Sequence, residues 1–410
     1  MTAASSGVRP RFVARTFASL RHRDFRLFYF GQLISVTGTW MQQVALGWFV
    51  LELTGSAFLL GLATVARSLP VLLFSVAGGL AADRFDRRRL LLAANTAAMG
   101  LSGLLAGLTL AGSIDVAGIL LLALLLGFTN AIEMPTRQSY FVELVGRRDL
   151  PNAIALNSML FNAARLVGPA LAGIVVALLG PGVAFGLNAL SYGAVLVSLF
   201  LIAPRSTVRS ALRARGAIAE AFRYLGEERR VGALLLLLAA NTVFASSYLV
   251  LGPAIARDLG AGAEGLGLLL SATGLGAIAS GLLLASGGMP LAPGRLLPAA
   301  GLALAGLLVG VSLSTSFALT VLLLVAVGAA MVAYTAVSNT VIQDIVPDEL
   351  RGRVMSLYTT VMLGFMPLAG LWAGILAERV GAAHALGIGA VVWAVIVALA
   401  FGLSPRLRAL

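Results

Sequence analysis

The chain has 410 residues, 59% of them hydrophobic and 11% charged, with a mean hydropathy of +0.97. Soluble domains are about half apolar and about a quarter charged, so no soluble core absorbs this surface and the chain reads as an integral membrane protein. The net charge of +12 is no sign of a nucleic-acid partner, because basic residues gathered on one side of a membrane protein set its orientation. All 29 basic residues are Arg, a bias of composition rather than of mechanism. With no Cys and two His, His22 and His384, disulfides, thiolate catalysis and Cys- or His-rich metal sites are excluded.

Residues 1–26 hold six Arg and no small-residue cleavage site, so they read as a cytosolic tail rather than a secretory signal, with 1–20 expected to be mobile. A spanning helix needs about 20 mostly apolar residues. Twelve candidates follow in order: 27–51, 57–81, 89–111, 117–138, 153–179, 183–203, 231–256, 265–287, 296–314, 317–341, 354–377 and 384–403. Runs such as Ile119–Leu126 and Leu234–Leu238 lack the alternation of a membrane barrel, so the spans are helical. The expected fold is therefore all-α. One six-helix bundle covers 27–203, a cytosolic linker 204–230, a second bundle 231–403 and a cytosolic C-terminus 404–410. Within the linker, Ile218, Phe222 and Leu225 recur opposite Arg223, Glu227 and Arg229. That spacing suits a short amphipathic helix at the interface, or else a plain solvated link.

Twelve spans put both termini on one side, and the arginines agree. The tails and the links on that side hold 24 Arg, whereas the opposite links hold only Arg257 and Arg379. Both termini are expected in the cytoplasm. The chain also repeats itself: Val142-Glu143-Leu144-Val145 before Asp149-Leu150 has a counterpart, 200 residues later, in Ile342-Gln343-Asp344-Ile345 before Glu349-Leu350. Two parallel six-helix repeats joined by a cytosolic loop are the plan of many secondary transporters.

A charge island links the second and third spans: Gly79-x-x-x-Asp83-Arg84-x-x-Arg87-Arg88. It resembles the loop at this position in the major facilitator superfamily, with Asp86 where that pattern usually has Gly. The flanking words Leu53-Thr54-Gly55-Ser56 and Ala82-Asp83-Arg84-Phe85-Asp86 resemble the superfamily's enterobactin-exporter and drug-efflux branch, where this Asp is common. The resemblance implies a cytosolic gate. Asp83 would face the positive N-terminus of a helix in the other half, while Arg84, Arg87 and Arg88 would reach carboxylates or helix-end carbonyls. For Arg89, ordinary positive-inside charge suffices. Gly168-Pro169-Ala170-Leu171-Ala172-Gly173 in the fifth span resembles an element associated with exporters, Ala172 replacing one Gly. Pro169 kinks the helix and the small residues admit a close neighbour, which equally describes generic tight packing.

Charges inside spans are expensive and functional by default. Glu133 and Arg137 lie four residues apart on one helix face, and Arg67 and Arg165 sit inside the second and fifth spans. A carboxylate balanced between burial and a neighbouring Arg suits a reversible proton carrier; a structural ion pair is the alternative. Glu143 and Asp344, near helix ends, read as interfacial. The architecture implied by the resemblance lines its cavity with the first, fourth, seventh and tenth helices. These offer Gln32, Ser35, Thr39 and Gln43; then Asn241, Ser246 and Tyr248; then Tyr334, Ser338, Asn339 and Gln343. Such neutral groups among aromatics like Trp40 and Phe244 suit an amphipathic substrate, although each serves equally as a helix–helix hydrogen bond.

Catalytic residues and a P-loop are absent, so the chain is expected to be no enzyme and to need neither ATP nor a cofactor, with a proton gradient as its energy source. The expectation is a monomeric transporter of the bacterial inner membrane, exporting small amphipathic compounds in exchange for protons. A proton-independent facilitator or importer is the alternative. A membrane sensor or assembly subunit that retains a transporter fold is the alternative from another class.

Overall fold

The computed structural model describes residues 17–203, 223–287 and 291–410. Among these, twelve long helices run in succession and there is no strand. They are α1 (Arg23–Thr54), α2 (Ala57–Arg84), α3 (Arg87–Leu110), α4 (Val116–Gly146), α5 (Arg148–Leu179), α6 (Pro181–Leu201), α7 (Arg229–Asp258), α8 (Ala263–Gly287), α9 (Pro293–Leu313), α10 (Phe317–Ile345), α11 (Asp348–Val380) and α12 (Ala382–Leu403). Eleven are long and apolar enough to cross a membrane. The exception is α1, whose 32 residues are interrupted by Gln32, Ser35, Thr37, Thr39, Gln42 and Gln43. It spends these groups inside the protein rather than on lipid.

Local chemistry sets the joints. Gly55, at φ 67°, ends α1 in a conformation that side chains resist. Ser56 then caps α2 by accepting the Leu59 N–H, and Asp86 caps α3 by accepting the Arg89 N–H. The Asp that departs from the usual loop pattern thus has a structural task. Gly146, at φ 71°, breaks α4 from α5. Several helices outrun the apolar segments: α4 and α5 reach Gly146 and Arg148, α10 ends at Ile345 and α11 starts at Asp348. A helix continues into water once hydrocarbon ends, so an apolar window underestimates its length.

The tail differs from the expectation of a mobile 1–20. Ala18–Arg21 form a 3-10 turn docked on the start of α5. There the Ser19 N–H donates to Asn152 Oδ1 at 2.8 Å, and Arg21 and His22 each meet Asp149 Oδ2 at 2.7 Å. Residues 1–16 lie outside the described residues, as do 204–222 with Ile218 and Phe222 of the expected linker helix. Residues 223–227 form a helical turn, whose Tyr224 hydroxyl donates to the Ile345 carbonyl at 3.4 Å.

Helices α1–α6 pack mainly on one another, as do α7–α12. The two groups meet chiefly through two pairs, α2 with α11 and α5 with α8. Twelve alternating helices return the chain to the face it left, here the terminal face. Both pairs touch towards the opposite, far face. A methyl at Gly61 of α2 would collide with the Gly370 carbonyl of α11, and Gly374 is packed against Gly61 Cα. A Cβ at Gly267 of α8 would lie 2.6 Å from the Pro169 carbonyl and 2.8 Å from Gly173 Cα. The Ser271 hydroxyl adds a 2.8 Å bond to the Leu166 carbonyl.

Gly61→Leu should therefore force α2 from α11, at a cost of about 1–3 kcal/mol to the closed far face. Distances between spin labels on the far ends of those helices should lengthen. Unchanged distances would mean that this contact does not hold the ends together.

Candidate functional site

The charge island lies at the terminal face, on the turn between α2 and α3. Arg87 forms an ion pair with Glu143 of α4 and lies 3.7 Å from Asp83. Arg88 donates through Nε to the Leu199 carbonyl at the end of α6, at 2.7 Å. Gly79 lies beside Pro135 of α4. These partners all belong to the first group of helices. Asp83, its side chain 56% exposed, and Arg84 face solvent. The residues of the expected gate thus bond within the first group alone, with Asp83 away from the second group's helix N-termini in this conformation. Glu143, read from sequence as interfacial, is the anchor of Arg87. Only the fold brings these residues together across 56 positions.

Deeper in, Arg137 Nη1 lies 3.4 Å from Glu133 Oε1 and donates to Gln32 Oε1 of α1 at 3.2 Å. Its guanidinium carbon sits 4.8 Å from the centre of the Phe161 ring of α5, a cation–π distance. Gln32 and Arg137 are 2% and 6% exposed. One turn further along α5, Arg165 donates to the Tyr248 hydroxyl of α7 at 2.8 Å, bridging the two groups of helices. Gln32, Glu133, Arg137, Arg165 and Tyr248 therefore belong to one region of the interior. Orphaned donors remain there: Arg137 Nε, Arg165 Nε and Gln32 Nε2 are buried without partners. Nearby on α7, the buried Asn241 Nδ2 is also unpartnered at the start of a π-turn, Asn241–Ala245.

Arg67 shares an electrostatic neighbour with Glu133, the Tyr192 hydroxyl of α6. It lines a cavity of about 10 Å³ inside the first group, room for one water, with Thr39, Gln42, Asn130, Asn188 and Tyr192. Thr39 bonds the Ser35 carbonyl at 3.0 Å and lies 3.4 Å from the Tyr192 hydroxyl. The buried Gln42 accepts from Asn188 Nδ2 at 2.6 Å, whereas Gln43 is half-buried. Tyr334 turns inward: fully buried, it stacks edge-on against Trp393 of α12 with centroids 5.2 Å apart. Ser338 is buried nearby on α10, and Gln343 Nε2 donates to Asn339 Oδ1 at 2.5 Å. Helical period shows which residues share a face, not which neighbour that face meets.

The Gly168–Gly173 element is a contact surface on both sides. Gly168 receives the Trp40 side chain of α1, and Pro169 and Gly173 receive Gly267 of α8. At the far end, Glu378 Oε2 of α11 accepts from the Phe58 N–H and the Ser56 hydroxyl of α2, at 3.0 and 3.1 Å. No sequence signal pairs these residues, which are 320 positions apart.

A family model for transmembrane secretion effectors matches residues 14–410. The chain belongs to that family, a branch of the major facilitator superfamily. It is a multi-pass membrane transporter and not an enzyme. Along 94% of its length it is 28% identical to the enterobactin exporter EntS of Salmonella choleraesuis, covering 94% of that protein. It is likewise 28% identical to the multidrug efflux pump Tap of Mycolicibacterium fortuitum, over 94% of this chain and 96% of Tap. A 31% identity to the staphyloferrin A transporter of Staphylococcus aureus spans 41% of this chain and 42% of that protein. Among solved structures, a bacterial homologue of the human lysosomal transporter Spinster, described as inward-facing, superposes with a TM-score of 0.76 at 15% identity, covering 95% of this chain and 98% of that one. The nucleoside transporter NupG gives a TM-score of 0.72 at 12% identity, over 93% and 98%. The superfamily fold expected from the gate loop is thus found, as is the exporter branch among its relatives.

Breaking the Arg87–Glu143 pair in this secretion-effector chain leaves the partly buried Arg87 with only the exposed Asp83, 3.7 Å away. Glu143→Gln should lower stability by about 1–3 kcal/mol, read as a drop in melting temperature in detergent. Arg87→Gln added to it should cost little more. Fully additive losses would show that the two side chains do not act as a pair.

Proposed function

We propose that the chain exports small amphipathic compounds across a bacterial cytoplasmic membrane in exchange for protons, as a monomer with its terminal face in the cytosol. Glu133 carries this reading. It is the one carboxylate away from the helix ends among the described residues, and it lies against Arg137 in the interior. Proton arrival at Glu133 cancels its charge and loosens it from Arg137, and proton loss restores the pair. Ion-pair exchange at the junction of α1, α4 and α5 then biases how the two groups of helices rest on each other.

Three observations support the rest. The 24-to-2 division of arginines supports a cytosolic terminal face. The far face is sealed by α2–α11 and α5–α8, while the charge island bonds only within its own group, as in a carrier open to the cytosol. The relatives include an enterobactin exporter and a multidrug efflux pump. The neutral groups around Tyr248 and Asn241, among aromatics such as Phe244 and Trp372, suit cargo with a large apolar body.

The test is cargo-dependent proton movement in vesicles, with a panel of amphipathic compounds, for the parent and Glu133→Gln. The parent should move protons against cargo, and the variant should move cargo without protons or not at all. Proton-independent transport by the parent would remove the exchange. Intact coupling in the variant would remove Glu133 from it.

A further inference from the structure

The Leu53-Thr54-Gly55-Ser56 word has a place in the structure beyond marking a branch of the superfamily. Gly55 stops α1 and Ser56 starts α2 after a single turn, so the first N–H groups of α2 are presented at the far face. A helix start leaves such donors unsatisfied. Ser56 takes one, the Leu59 N–H at 3.2 Å. The Phe58 N–H goes to Glu378 of the other group, and the same carboxylate oxygen holds the Ser56 hydroxyl. Helix α2 is therefore capped twice, once by its own serine and once by α11, with a negative charge where the helix dipole favours it.

The pairing of α2 with α11 gives this cap a counterpart. The two helices are antiparallel, so the start of each lies beside the end of the other. Near the end of α11 stands Glu378, bonded to the start of α2. Near the end of α2 stands Asp83, on the face where α11 starts at Asp348 after an N-cap, Pro347, that offers no side-chain bond. In this conformation the far-face cap is made, while Asp83 is exposed.

We propose that Glu378 is the positioning residue of the far-face gate, holding the carrier closed to the outside by capping α2 across the halves. The proposal rests on the reading given above of a carrier open to the cytosol, and on its orientation. Opening outward must pull Glu378 from Phe58 and Ser56. All three are at the surface, so water replaces each lost partner, and the closed state is favoured only modestly. A gate that opens every cycle requires such a contact, which biases the equilibrium without fixing it.

The chain lacks Cys, so Thr64→Cys, beside Gly370 in the α2–α11 contact, places a single thiol in the seal. Its reaction with a membrane-impermeant maleimide added outside intact cells reports far-face opening. Adding Glu378→Ala should speed labelling on the order of fivefold, the usual worth of a lost cap. Glu378→Gln, which keeps an acceptor oxygen, should stay within about twofold of the parent. Equal labelling of parent and Glu378→Ala would overturn the proposal, as would a lowered melting temperature with labelling unchanged. Proton flux in vesicles reads the proposed exchange separately: its absence with gated labelling intact would overturn the exchange alone.

Discussion

The whole arrangement rests on two backbone-to-backbone contacts between the groups of helices, α2 against α11 and α5 against α8. Within lipid, apolar surface gains nothing by leaving its surroundings, so helices associate through close packing and a few polar bonds. Gly61, Gly370 and Gly374 in one pair, and Gly173 and Gly267 in the other, remove the side chains that would hold the backbones apart. Surfaces this smooth also lack interlocking ridges. They could tilt and separate without tearing side chains from deep holes, as the transport proposed above would require.

Charge is distributed with a similar division of labour. Glu133, Arg137, Arg165 and Arg67, the ionisable residues away from helix ends among those described, all belong to the first six helices. The second six supply a neutral Tyr248 hydroxyl to Arg165 and an apolar interior around Trp393. The Arg165–Tyr248 hydrogen bond thus ties the charged half to the neutral one near the centre.

What the sequence made legible follows from the solvent. Hydrocarbon excludes charge and demands satisfied backbones, so span positions and the charge island could be read without knowing any contact. The pairing of Arg87 with Glu143, the cap of Glu378 on α2 and the inward turn of Tyr334 could not. Each depends on which helix lies opposite, and in a bundle surrounded by lipid the apolar stripe that reveals the core of a soluble helix is lost. Of the polar residues of α1, Gln32 reaches Arg137 while Thr39 and Gln42 look toward α6, although all sit in one stretch of sequence. Arg67 shows the same limit: its depth was readable, its place beside Asn130, Asn188 and Tyr192 was not. The docked turn Ala18–Arg21 escaped notice because its anchor, Asp149, lies 128 residues from Arg21.

A seal built from glycine backbones has a physiological corollary. Where Gly267 meets Pro169 and Gly173, and Gly61 meets Gly370, atoms are too close to admit a file of water molecules. Protons have no wire to follow between the helices at those two contacts. In the transport proposed above, contacts this close would let a cell keep many copies in its energised membrane without short-circuiting the gradient that other machinery lives on.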